Sequence, residues 1–157
     1  MMNLKNKKRI LKTILGLVFI IVITLPYIDL RSKNKIHYKF NDIEFSIYKS
    51  IPNQNEGDYG LFLSYCDTVS QFLNNNPIKL DFEFNFKDCK SQVDKFDIQE
   101  YRTDFVKQVH MIAIEYRRSK SRANARFFLI MIAAQIFLIV TKNFIDKKFQ
   151  EKKNETD

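Results

Sequence analysis

Cys66 and Cys89 carry the most chemistry of any side chains in this sequence, and 22 residues separate them. A thiol pair at that spacing can close a single disulfide loop, worth on the order of 3 kcal/mol in the chain-entropy model. Such a bridge requires an oxidising compartment, so it is expected only if this part of the chain is exported. C-x-x-C is absent, and His37 and His110 lie far from both cysteines. No zinc site, other metal or cofactor is expected from this donor set.

A nucleophile held beside a base is equally hard to assemble. Ser64 lies near Cys66, His110 stands alone, and acids are scattered at Asp81, Glu83, Asp88, Asp94, Asp97, Glu100 and Asp104. His110 reads as a histidine on a helix face rather than as a general base. Of the 3 glycines none follows Gly60, which excludes GxGxxG and GxxxxGK[ST] phosphate loops. The chain is not expected to be an enzyme.

Charge and hydropathy say more. Ile36 to Tyr116 carries eight Lys and Arg against 13 Asp and Glu, while the rest of the chain carries 18 against 5. An acidic middle between basic flanks is not the distribution of a nucleic-acid binder, despite the net charge of +8. The basic flanks instead border two apolar runs. Thr13 to Ile28 is free of charge, and with Ile10 and Leu11 added and Lys12 snorkelling it reaches the roughly 20 residues that cross a bilayer. Leu25-Pro26-Tyr27-Ile28-Asp29 offers no small-x-small cleavage site, so this run reads as an uncleaved anchor rather than a signal peptide. The second run, Phe127 to about Ile145, is almost wholly apolar on every face from Phe127 to Val140, with Gln135 inside it and Lys142 able to snorkel near its end.

The expected organisation is a basic cytoplasmic tail (1–9), a first span (10–30), an extracytoplasmic domain (31–126), a second span (127–145) and a charged cytoplasmic tail (146–157). Lys and Arg crowd all four boundaries, so charge alone does not orient the chain. A first helix with a short basic tail usually dominates, and a long domain translocates with little regard to charge. Both termini are therefore placed inside an inner membrane and the middle outside. Arg117, Arg118, Lys120, Arg122 and Arg126 stand directly before the second span, where each can gain about 1 kcal/mol from anionic headgroups.

Within the domain, Ile36, Tyr38 and Phe40 alternate with polar residues, as do Ile43, Phe45 and Ile47, on either side of Asn41-Asp42. That pattern predicts a β-hairpin. Leu61, Tyr65, Val69 and Phe72 or Leu73 predict a helix ended by Asn74-Asn75-Asn76-Pro77. Ile78, Leu80, Phe82, Phe84 and Phe86 alternate with Lys79, Asp81, Glu83, Asn85 and Lys87, which predicts a half-buried strand. From about Asp97, Tyr101, Phe105, Val109, Ile112 and Tyr116 recur at helical spacing, and no Gly or Pro stops that helix before the second span. The expected fold class is thus membrane α+β, two transmembrane helices flanking a ββαβα domain.

These features suit holding a partner rather than transforming a substrate. The acids Asp81, Glu83, Asp88 and Asp94 are the candidate partner-binding residues, since an acidic surface attracts a basic protein. The expectation is a membrane-anchored protein-binding module of the immunity or exclusion type, with membrane lipids and one protein as partners. The alternative is an accessory subunit packed into a larger membrane complex through Ala133, Ala134 and Gln135.

Overall fold

A computed structural model describes residues 4–50, 59–86 and 98–154. Three helices account for all of these except residues 76–86: α1 (Leu4–Ser50), α2 (Tyr59–Asn75) and α3 (Ile98–Asn154). No strand occurs among the described residues. The α+β class and the ββαβα order are therefore incorrect, and the reason lies in two segments that each satisfied the strand pattern.

The expected hairpin is part of α1. Phe40 and Ile47 are fully buried, while Ile36 and Ile43 pack against the same core. These four residues step by four, three and four, which is one helix face. Tyr38 and Phe45, which a hairpin would turn inward with them, are 59% and 70% exposed. Both periods were present in the sequence; what decided between them was continuity. Between Pro26 and Pro52 there is neither Gly nor Pro. α1 contains Pro26, which gives up one helical hydrogen bond, but beyond it the helix propagates at one hydrogen bond per residue, whereas a hairpin must first close its own turn. Asn41-Asp42, read as that turn, is accommodated mid-helix, and Ser46 Oγ donates to the Asp42 carbonyl at 2.8 Å.

The expected strand is an extended segment without a ladder. Its faces follow the alternation: Phe84 and Phe86 are buried and Ile78, Leu80 and Phe82 half-buried, while Lys79, Asp81, Glu83 and Asn85 are exposed. It is not a strand because the hairpin that would have paired with it is helical.

The expected helices are found. α2 ends where Asn76 donates from its backbone (2.9 Å) and from Nδ2 (3.1 Å) to the Phe72 carbonyl, followed by Pro77. Its buried face is Phe62, Cys66 and Val69, so the inward stripe lies one residue along from Leu61 and Tyr65. α3 runs without a break from the domain through the second apolar run.

The chain divides into two compact units, residues 1–31 with 122–157, and residues 32–121. In the first, two helical stretches pack through small or slim side chains, with Ala123, Ala134 and Ile145 buried and Tyr27 6.2 Å from Phe127 between ring centroids. Lys8 and Lys12 each place Nζ 2.7 Å from Asp146 Oδ1. The hydrogen bonds from Lys12 and Lys8 hold the Asp146 carboxyl at about 2, well below its usual range. Both helices contain stretches long and apolar enough to cross a membrane, and almost none of the residues in those stretches are buried within the protein.

The second unit has a single aromatic-rich core. Phe40 and Ile47 of α1, Phe62, Cys66 and Val69 of α2, Phe84 and Phe86 of the extended segment, and Phe105, Val109, Ile112, Ala113 and Tyr116 of α3 meet there. Phe105 stands edge-on to Phe62 (5.3 Å) and Phe86 (5.1 Å), and Phe40 lies 5.0 Å from Tyr116. Such tilted contacts add about 0.5–1.5 kcal/mol per pair to the burial itself.

Candidate functional site: an extended segment pinned by side chains

Residues 76–86 lie extended against three helices, and their polar backbone is held by side chains instead of by a neighbouring strand. The Tyr116 hydroxyl donates to the Asn76 carbonyl at 2.6 Å. Gln108 Oε1 accepts from the Asn85 amide at 3.1 Å, and Ser70 Oγ donates to the Phe86 carbonyl at 3.1 Å. Gln108 is itself aimed by its Nε2, which donates to Asp104 Oδ2 at 3.0 Å one turn away on α3. Burial of Tyr116 raises its phenol to about 12, which keeps it protonated as a donor at any ordinary pH. Between these pins, from Ile78 to Phe84, no hydrogen bond engages the backbone among the described residues. An extended stretch of open N–H and C=O groups is a template for another extended chain.

Asp81 and Glu83 stand on the outward side of this segment, two residues apart, with Lys79 and Asn85 flanking them. Asp88 and Asp94 lie outside the described residues, as does Cys89. Cys66 is buried in the core, and none of the described cysteines is free. Sequence reasoning picked out the outward acids from their period of two. It missed Tyr116, Gln108 and Ser70 as the residues that fix the segment, because a side-chain-to-backbone bond between distant positions leaves no periodic trace.

The other candidates separate into different surroundings. His110 is exposed on α3, with Nδ1 2.8 Å from Glu44 Oε1 and its ring edge-on to Tyr48. Among the described residues no hydrogen bond joins that pair to a Ser, Thr or Cys side chain. Among the described residues no group of three or more His, Cys, Asp or Glu could hold a metal ion. In the basic cluster, Arg118 pairs with Glu115 on its own helix, and Lys120 folds over the Tyr38 ring at 4.6 Å. Arg117, Arg122 and Arg126 remain exposed. Arg118 and Lys120 thus have partners within the protein.

His37, which the sequence left without a role, is 5% exposed and stacks beside Tyr38 at 5.5 Å. Burial lowers its pKa below the usual 6.5, and the Lys120 and Arg117 charges lower it further against a smaller opposing effect of Glu44. At His37 the folded domain therefore holds less proton than the unfolded chain in the window between the folded value and 6.5. Stability is fully present above 6.5 and is lost as pH falls through the folded value. Thermal unfolding of the full chain in micelles should show a midpoint that rises from pH 5 to 7.5, with a smaller rise for His37→Asn. An equal slope in both proteins would remove His37 as the cause.

Comparison of the chain with protein-family models, curated proteins and solved structures finds no match.

Proposed function

We propose that this chain is a membrane-anchored protein-binding module, held in an inner membrane by its two apolar helical stretches, whose acidic middle domain captures a basic protein outside the cytoplasm. An immunity or exclusion-type factor, which intercepts a toxin at the membrane, has this form. The observation that carries the reading is the open backbone of Ile78 to Phe84, fixed at both ends and flanked outward by Asp81 and Glu83. A partner strand adding to that edge would gain main-chain hydrogen bonds, while the two carboxylates select a basic sequence. A Cys66–Cys89 bridge belongs to the same reading, because an exported domain folds under oxidising conditions.

The test places a photo-reactive side chain at Asp81 or Glu83 in the full-length chain in native membranes, with an exposed control position at Gln71. Asp81 and Glu83 should give an adduct with one protein, Gln71 should not, and reversing the acid that remains (Glu83→Lys with the label at 81, Asp81→Lys with the label at 83) should reduce the adduct at least about tenfold, since like charges brought together oppose binding. Absence of an adduct from either position sinks the reading. Mobility after thiol alkylation, with and without reduction, reports the compartment in the same samples: two free thiols would place the domain in a reducing environment. The accessory-subunit alternative predicts that the chain migrates with a large assembly in mild detergent, where the capture reading predicts a small particle.

A further inference from the structure

Gln135 lies near the centre of the uncharged run from Phe127 to Thr141, and it is exposed. It makes no hydrogen bond to any side chain among the described residues, while its neighbour Ala134 is the residue turned into the helix pair at 8% exposure. In hydrocarbon the carboxamide would have no water to satisfy either its N–H donors or its oxygen, which is costly. Phe128, Ile132, Gln135 and Ile139 step by four, three and four, and the three apolar members are 63%, 55% and 58% exposed. That spacing places the three apolar side chains on the same helix face as Gln135, where a second helix could pack with the one polar residue fixing register.

We infer that α3 pairs with α3 of a second copy of this chain along Phe128, Ile132, Gln135 and Ile139, with the two Gln135 carboxamides hydrogen-bonded to each other. Two copies inserted in the same direction are related by a two-fold axis along the membrane normal, so each residue meets its own counterpart at the same depth. A carboxamide is complementary to itself because it both donates and accepts, whereas a lone Lys or Asp at that position would meet its own charge. A different protein would have to supply a polar side chain at the same depth, a coincidence that the two-fold makes unnecessary. The pairing would also double the number of extended segments presented at one point on the membrane.

This inference rests on the membrane-spanning reading, and the experiment separates the two. The full-length chain in membranes carries a photo-reactive side chain at Ile132 or Ile139 on the seam, or at Ala133 or Val140 away from it. The seam positions should give a product of twice the 18.8 kDa chain mass, several-fold stronger than the off-seam positions. Gln135→Leu, which makes the span more apolar and leaves insertion intact, should weaken that product about fivefold, and Gln135→Asn should retain it. Equal cross-linking at all four positions, no effect of Gln135→Leu, or an adduct with another protein overturns the pairing. Alkaline carbonate extraction is run in parallel. A chain that stays in the pellet but gives no dimer defeats the pairing alone, and a chain released to the supernatant defeats the membrane reading and the pairing together.

Discussion

Phe105→Ala is expected to unfold the middle domain at physiological temperature while the helices of the other unit persist. Phe105 is fully buried, and its ring stands edge-on to both Phe62 on α2 and Phe86 on the extended segment. Truncation removes the burial of the ring, leaves a cavity, and breaks both aromatic contacts, a loss of about 3–5 kcal/mol. Small domains have about 5–15 kcal/mol in total, and one of this size lies toward the lower end. With no Trp and 7 Tyr in the chain, tyrosine fluorescence during urea unfolding of the full chain in micelles follows the domain. A midpoint within 1 kcal/mol equivalent of the wild type would show that the core closes around the gap, and that α2, α3 and the extended segment do not depend on this ring.

Gln108→Ala should have the next largest effect, and a more local one. Gln108 is 5% exposed, and it is the acceptor for the Asn85 amide. Its loss strands that N–H beside Phe84 and Phe86, at about 1–3 kcal/mol, and frees one end of the segment that carries Asp81 and Glu83. Gln108→Glu keeps the acceptor but loses the donor to Asp104 and sets two carboxylates side by side. It should be destabilising at neutral pH and partly restored as the pH falls and one carboxyl takes a proton. Hydrogen exchange at the Asn85 amide is the direct measure: exchange should accelerate strongly in Gln108→Ala and moderately in Gln108→Glu. An unchanged rate in both would mean that Tyr116 and Ser70 hold the segment without it.

The contrast between the two β-like segments shows how far a single sequence can be read. For Ile78 to Phe86, alternation correctly assigned every outward and inward residue, because burial depends on the local geometry of an extended backbone. Whether the segment forms a strand depends on a neighbour, and none is present among the described residues. For Ile36 to Ile47, apolar spacing fitted period 2 and period 3.5 at once, so the inward residues Phe40 and Ile47 belonged to both solutions. Only the placement of Tyr38 and Phe45 outside the core distinguishes them. On α3, by contrast, Tyr101, Phe105, Val109, Ile112 and Tyr116 fitted one period only, and the helix follows it.

By itself the sequence determined the two apolar stretches, the basic flanks around an acidic middle, and the unbroken final helix. Each is a local property: the first two are set by the types of consecutive residues, the last by the absence of Gly and Pro after Pro77. The tertiary structure decided that the first apolar helix extends to Ser50, that the expected strand is an extended segment pinned by Tyr116, Gln108 and Ser70, and that Ala134 turns inward while Gln135 faces out. Those outcomes depend on which distant groups meet, and a hydrogen bond across 40 residues, as from Tyr116 to Asn76, has no signature in the spacing of either partner.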